Sequence, residues 1–170
     1  MRLVPILIRG DKTTSTVDTT KEATLIAPAS TTIVECWKIL YEKCTIGIQN
    51  ERKISRYANQ GAITVDLVKV WHPIVFKNVW VGHIDTETQS QYLKENLEYI
   101  CTKWGKVYGA CTLAWYDLDT STFVSQMRMY KGSAFQNQVV APPKSVEFEF
   151  DQLMNAVIPQ VVFEEVVTIT

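Results

Sequence analysis

Apolar and polar positions follow two different periods between residues 63 and 130. Ile63, Val65 and Leu67 alternate with polar residues, which is typical of a strand with one buried face. Pro73 interrupts the run, and residues 74–84 form a second apolar segment of strand length. The linker between the two segments is too short for a parallel crossover, so the strands are antiparallel if they pair.

A helical period follows these two strands. Thr86 and Gln89 have the spacing of a capping box, and Gly105 is a suitable end signal. Two further apolar runs, at 110–118 and 122–130, predict strands joined by a turn at 119–121. The apolar stripe of the helix recurs at helical spacing, at Leu93, Leu97, Ile100, Cys101 and Trp104.

Another helix is predicted at residues 32–46. Thr32 and Glu35 have capping-box spacing, and Gly47 is a suitable end. The polar segment that follows, residues 49–60, predicts a loop or a solvated helix face. The apolar positions of this helix are Ile33, Trp37, Leu40, Tyr41 and Cys44.

Both ends of the chain predict strands. Residues 2–9 predict a strand with an apolar centre, and a threonine-rich stretch at 11–24 predicts a loop or an exposed edge strand. Near the C-terminus, 146–150 alternates with glutamates on one face, and 160–169 predicts a final strand. Between them a short helical turn is predicted from Asp151 through Val157, ended by Pro159.

These elements define an expected fold class. We expect a single α+β domain, residues 1–170, in which a mainly antiparallel β-sheet carries two amphipathic helices (about 32–46 and 87–104) packed on one face. The alternative is a β-sandwich with helical insertions. A chain of 170 residues is long enough to bury a core without disulfides or metals.

Charge and the N-terminal sequence narrow the class of protein. The net charge is −1 and the N-terminus has no basic arm, which disfavours a nucleic-acid coat or a membrane-surface protein. The apolar N-terminal run is too short for a transmembrane helix and a poor signal peptide. We therefore expect an intracellular, cytoplasmic protein, with a virion as the other location considered.

The candidates for chemistry are few. The sequence has no phosphate-binding loop, nucleophile elbow or zinc-protease signature, so we assign no catalytic residue, metal site or cofactor. His83 lies two residues before Asp85, and this pair with Cys101 or Cys111 would make a small cysteine-dependent hydrolase. Both cysteines fall in apolar runs, which favours buried, free thiols instead.

One basic cluster, Arg52, Lys53 and Arg56, is a candidate site for an anion or nucleic acid. Aromatic residues are not interleaved with it, and a solvated surface is the alternative interpretation. Partner binding through this cluster would make the chain a nucleic-acid- or host-factor-binding accessory protein.

Strand aromatics are the second candidate site. Trp71, Trp80, Trp115 and Tyr116 lie on predicted strands, and alternation puts Trp115 and Tyr116 on opposite faces. One of that pair must face away from the core, where either a second layer covers it or a partner contacts it.

Taken together, the sequence favours a non-enzymatic assembly or interaction protein. The expected partners are other copies of the chain, in a homo-oligomer, or another protein, as for a matrix or coat subunit of a virus. The apolar terminal strands would promote aggregation if their edges were unpaired. A net charge near zero permits self-association. The accessory protein and the cysteine-dependent hydrolase stay open as alternatives.

Overall fold

The computed structural model describes residues 2–27, 34–47, 49–57, 61–71, 73–105, 109–124, 127–128, 134–135 and 138–166. Within them the chain forms thirteen strands and one helix. The helix is α1 (Glu87–Lys103). The strands are β1 (Leu3–Ile8), β2 (Cys36–Lys38), β3 (Lys43–Ile46), β4 (Gln49–Tyr57), β5 (Gly61–Trp71), β6 (Ile74–His83), β7 (Cys111–Asp117), β8 (Thr122–Phe123), β9 (Met127–Arg128), β10 (Ala134–Phe135), β11 (Gln138–Val140), β12 (Glu149–Phe150) and β13 (Asn155–Phe163).

Two antiparallel sheets make up the body of the protein. The first has the strand order β11-β7-β1-β2, with β8 beside β7, and the second has the order β12-β13-β6-β3. The sheets are joined on both sides. Leu40 bridges to Trp80 between β2 and β3, and Val140 of β11 bridges to Glu165 just after β13. The two sheets therefore meet at these two bridges and share one core.

The core draws side chains from both sheets and from the helix. Leu7 and Leu113 of the first sheet, Ile158 of the second and Leu93 of α1 are all almost fully buried in one cluster. Burial of apolar surface on this scale is the dominant favourable term in folding.

Helix α1 confirms the prediction for residues 87–104. Thr86 is the N-cap, and its hydroxyl accepts from the Gln89 backbone N–H at 3.2 Å while the Gln89 side chain accepts from the Thr86 N–H. Both ends of the capping box thus satisfy a backbone donor. Three residues of the predicted stripe, Leu93, Leu97 and Ile100, are buried.

The predicted helix at 32–46 is wrong, and with it the expected fold of one sheet carrying two helices. The described residues contain one helix of seven or more residues, and 42% of the chain is strand, so the fold is α+β only in the broad sense. Residues 36–38 pair with β1, and residues 43–46 pair with β6. Pairing with β1 and β6 outweighs the helical spacing of the apolar residues. The β-branched residues Ile39, Thr45 and Ile46 also favour a strand over a helix. Thr32 and Ile33 lie outside the described residues.

The polar segment 49–60 is also different from the prediction. Residues 49–57 form β4, which pairs with β5 from Gln49↔Trp71 to Tyr57↔Gly61. At its start this register continues that of β3 with β6, where Ile46 lies opposite Ile74. The β4–β5 pair therefore begins in the same register as the β3–β6 pair. β4 and β5 nevertheless belong to neither of the two larger sheets. The strand at 63–67 consequently pairs with β4 and not with the strand at 74–84.

The C-terminal region corrects two predictions. Residues 151–157 do not form a helical turn, because the Asp151 carboxylate accepts from the N–H groups of Leu153 and Asn155 and closes a hairpin between β12 and β13. Pro159 lies within β13 instead of before it. Its neighbours Ile158 and Gln160 lie opposite Val79 and Lys77, and Asn78 between those two has a φ of 50°, which suits asparagine.

Other predicted strands are confirmed with shorter bounds. The apolar N-terminal run is β1, and the run at 110–118 is β7. The run at 122–130 is reduced to β8 and β9, with 125–126 and 129–130 outside the described residues, and 146–150 is reduced to β12. Residues 167–169 of the predicted final strand also lie outside the described residues.

Residues 11–24 form a loop that covers the outer face of the first sheet. Val17 packs on a second cluster of buried residues that includes Ile6 and Ile8. The loop is held by Glu35, which is only 6% exposed, accepts from the Asp18 backbone N–H at 2.8 Å and pairs with Lys12 at 3.1 Å. These contacts favour the charged carboxylate and lower the pKa of Glu35, the hydrogen bond from Asp18 being the larger cause.

Replacing Glu35 with glutamine is expected to destabilise the protein at neutral pH and to have less effect in acid. The folded-state pKa lies below the ordinary 4.5, so the stabilisation is present above the ordinary value and lost as the pH falls through the folded-state pKa. Urea unfolding from pH 7 to pH 3 measures this. Glu98→Gln, on the exposed face of α1, is the control. A difference between Glu35→Gln and wild type that persists undiminished in acid would contradict this account.

Candidate protein-interaction surface

An exposed tryptophan and an exposed leucine lie side by side where the two sheets meet. Trp80 of β6 donates its backbone N–H to the carbonyl of Leu40 at 2.8 Å, and the two residues form an antiparallel bridge. Residues directly opposite in such a pair place their side chains on the same face. Trp80 is 50% exposed and Leu40 is 41% exposed.

These residues border an open groove of about 510 Å³. We call its lining the Trp80 surface: Leu3, Val4, Ile39, Leu40, Tyr41, Glu42, Asn78 and Trp80. Its polar edge is ordered, because the Asn78 amide donates to the Glu42 carboxylate. An apolar centre beside satisfied polar groups is the usual composition of a protein-binding patch.

The floor of the Trp80 surface is anchored in the core. Tyr41 is half-buried, and its ring lies 5.0 Å from Phe76 and 6.4 Å from Trp115, measured between centroids. Its neighbour Ile39 is fully buried. The exposed side chains therefore stand on a rigid base, which reduces the entropy lost when a partner binds.

The other predicted aromatic residues lie elsewhere. Trp115 is 9% exposed and belongs to the main core, while Tyr116 on the opposite face is half-buried. The Tyr116 ring stacks edge-on against Phe123 at 5.0 Å, so the β7–β8 hairpin supplies part of its cover. Trp71 is the last residue of β5, and its side chain lies outside the described part of the structure. Of the three whose side chains the structure describes, only Trp80 lies at the groove.

The predicted basic cluster lies on β4. In the β4–β5 register, Arg52 is opposite Asp66, Lys53 opposite Val65 and Arg56 opposite Ala62. Strand alternation assigns positions 52 and 56 to one face of the ribbon and position 53 to the other. The three residues therefore do not form one compact patch on the backbone, and their side chains lie outside the described part.

His83, the predicted histidine candidate, contacts two polar side chains. His83 Nε2 lies 2.8 Å from Asp85 Oδ1, as expected for a dyad, but its other nitrogen lies 3.3 Å from the Asn155 side-chain oxygen. Neither contact supplies a nucleophile. Cys111 is buried in the core, and burial raises its pKa to about 12. Burial also raises the pKa of Cys101.

Thiol reactivity gives a prediction on this point. Burial, the largest cause in each case, raises the pKa of Cys36 to about 12 and that of Cys44 to about 11. Since the thiolate is the reactive form, we expect Cys36 and Cys111 to resist a disulfide reagent at pH 8 until the protein unfolds. Titration with and without denaturant measures this, and Cys→Ser variants assign each thiol. A fast-reacting Cys111 in the native protein would contradict it.

Among the described residues, no helix is long and apolar enough to cross a membrane. In the same part of the chain, no group of three or more His, Cys, Asp or Glu residues is placed to hold a metal ion. In comparisons with known proteins, the chain matches no family model and no curated protein sequence.

Proposed function

We propose that this protein is a non-enzymatic subunit that self-associates through the Trp80 surface, in the manner of a structural or assembly protein. The observation that carries this proposal is the exposed Leu40–Trp80 pair beside a groove whose floor is anchored in the core. Burying the exposed half of Trp80 alone removes on the order of 100 Å² from water, worth about 2.5 kcal/mol.

A second copy of the chain is the favoured partner because of charge. A net charge of −1 gives little long-range repulsion between copies. A matrix or coat subunit of a virus is one type of protein with these properties. The compartment we propose is the cytoplasm, with a virion as the alternative.

The accessory-protein alternative is favoured by a different observation. β4 carries Arg52, Lys53 and Arg56 on a strand that lies outside both larger sheets. Binding of nucleic acid there would weaken with salt, and each lost phosphate contact would lower the salt slope by about one unit.

Light scattering coupled to gel filtration, across protein concentration and salt, tests the proposed function. Self-association predicts a mass above 19.4 kDa that falls on dilution. A mass of one chain at every concentration would overturn the proposal. Titration with single-stranded DNA and RNA at low salt, in the same buffer series, tests the alternative, and the absence of binding there would exclude it.

A further inference from the structure

The ribbon formed by β4 and β5 has two free edges. Each of these strands pairs only with the other among the described residues. Nine residues of β4 span about 30 Å. A two-stranded ribbon is at best marginally stable in water by itself, so an added strand at either edge would stabilise it.

A second free edge lies on β13. β12 covers only Val157 and Ala156, and the chain after Phe163 pairs with β11. On that side, residues 158–163 have no neighbouring strand in the described part of the chain. We call this unpaired stretch of the β13 edge the gap. It is six residues long, which is enough for a short strand to be added.

The direction of the backbone groups in this gap follows from the opposite edge of β6. The carbonyls of Pro73 and Lys77 accept hydrogen bonds from Gly47 and Glu42, on the β3 side. In an antiparallel ladder, alternate residues direct both their N–H and C=O groups to the same neighbour. Position 75 therefore also directs its groups to β3.

Gln160 and Val162 lie opposite Lys77 and Val75. They accordingly direct their backbone groups away from β6, into the gap. The carbonyl of Glu164, two residues further on, accepts at 2.9 Å from the segment across the gap, which agrees with this direction. The free edge thus offers an alternating set of donors and acceptors to an added strand.

The gap opens into a groove that is acidic. Its volume is about 290 Å³, with 141–147 on one side and 159–164 on the other. Three charged residues line it, Lys144, Glu147 and Glu164, and all are exposed. Lys144 Nζ lies 3.7 Å from Glu164 Oε2, so the net negative charge of the lining rests on Glu147.

The ribbon has the opposite charge. Residues 49–71 contain four lysines and arginines but only Glu51 and Asp66 as acids, a net charge of +2. The total for the chain is −1, so the remaining residues carry −3. On β4 itself, three cations stand against one acid.

We propose that β4 of one copy of this chain adds as a strand to the β13 edge of a second copy, inside the groove between 141–147 and 159–164. Two free edges are paired by this contact, and a basic strand enters an acidic groove. The proposal rests on the proposed function, because it names a second interface in the same self-association. Reciprocal exchange gives a closed dimer, and one-way exchange gives an open chain.

A charge-swap experiment tests this interface. The double substitution Arg52→Glu with Arg56→Glu reverses two charges on β4, and we call it the arm variant. The double substitution Glu147→Lys with Glu164→Lys reverses two charges in the groove, and we call it the groove variant. Each alone places like charges across the contact, so we expect at least about a tenfold rise in the dissociation constant at low salt. An equimolar mixture restores opposite charges, and we expect it to recover the wild-type mass by light scattering. The control Lys94→Glu with Lys103→Glu makes the same charge change as the arm variant, but on α1.

The outcomes separate this inference from the proposed function. Recovery on mixing also shows that both variants are folded. If the arm and groove variants keep the wild-type mass, or if mixing restores nothing, the inference is overturned. If both variants keep the wild-type mass but Trp80→Ala loses association, the proposed function stands without this inference. A monomeric wild type overturns both the inference and the proposed function. A photo-crosslinker at Ser55, with isotope-labelled and unlabelled chains mixed, should capture peptides from 141–164 of the other copy.

Discussion

Replacing Phe76 with alanine is expected to cost about 3–5 kcal/mol of the free energy of unfolding. The Phe76 side chain is fully buried where the two sheets share their core. Its ring lies 5.0 Å from Tyr41, 5.8 Å from Phe163 and 6.4 Å from Trp115. Removing it leaves a cavity that these large neighbours cannot easily fill. Urea unfolding at pH 7, followed by fluorescence, measures the loss.

The matched control for this prediction is Phe150→Ala. Phe150 lies on the short edge strand β12 and is 41% exposed, with one ring contact, to Phe148 at 5.4 Å. We expect it to cost less than about half as much as Phe76→Ala, since less surface is lost from burial. Equal losses in the two variants would show that the core is not centred on the junction of the sheets.

Trp80→Ala is expected to weaken self-association roughly thirtyfold or more and to cost less stability than Phe76→Ala. Tryptophans at the centre of an interface typically contribute 2 kcal/mol or more on truncation, which corresponds to about this factor. Half of the Trp80 side chain already faces water in the single chain, so its removal leaves no core cavity. Sedimentation velocity over a dilution series measures the dissociation constant, and urea unfolding measures stability.

The control here is Tyr99→Ala, which removes another exposed aromatic residue. Tyr99 lies on α1 and is exposed to nearly the same degree as Trp80. It should leave the dissociation constant unchanged within about twofold. If Trp80→Ala and Tyr99→Ala behave alike, the association does not depend on the Trp80 surface.

The parts of the fold that the sequence predicts correctly are those with a strong local signal. The stripe of α1 has a capping box at its start, and β1 and β6 are long apolar runs. The failure at 32–46 has a physical origin. Trp37 and Leu40 fit a helical spacing as well as they fit β2 and the bridge that follows it. The choice is made by β1 and β6, which are distant in sequence.

The same error concealed most of the candidate site. Trp80 is singled out by the sequence as a strand aromatic, and the structure places it at the surface. Leu40 is assigned to the apolar face of a helix, so its pairing with Trp80 is not foreseen. Strand alternation identifies Trp115 and Tyr116 as opposite in direction, but only the covering loop and hairpin decide that Tyr116 is sheltered. Burial of that kind depends on contacts between segments that no local pattern contains.

Hydrogen–deuterium exchange of the wild-type protein, compared above and below its association concentration, tests whether the chain associates through the Trp80 surface. The account predicts that association slows exchange at the backbone around Leu40 and Trp80 and leaves the exposed face of α1 unchanged. Slowed exchange confined to α1, or exchange around Leu40 and Trp80 that is the same in the dilute and the associated protein, would contradict it.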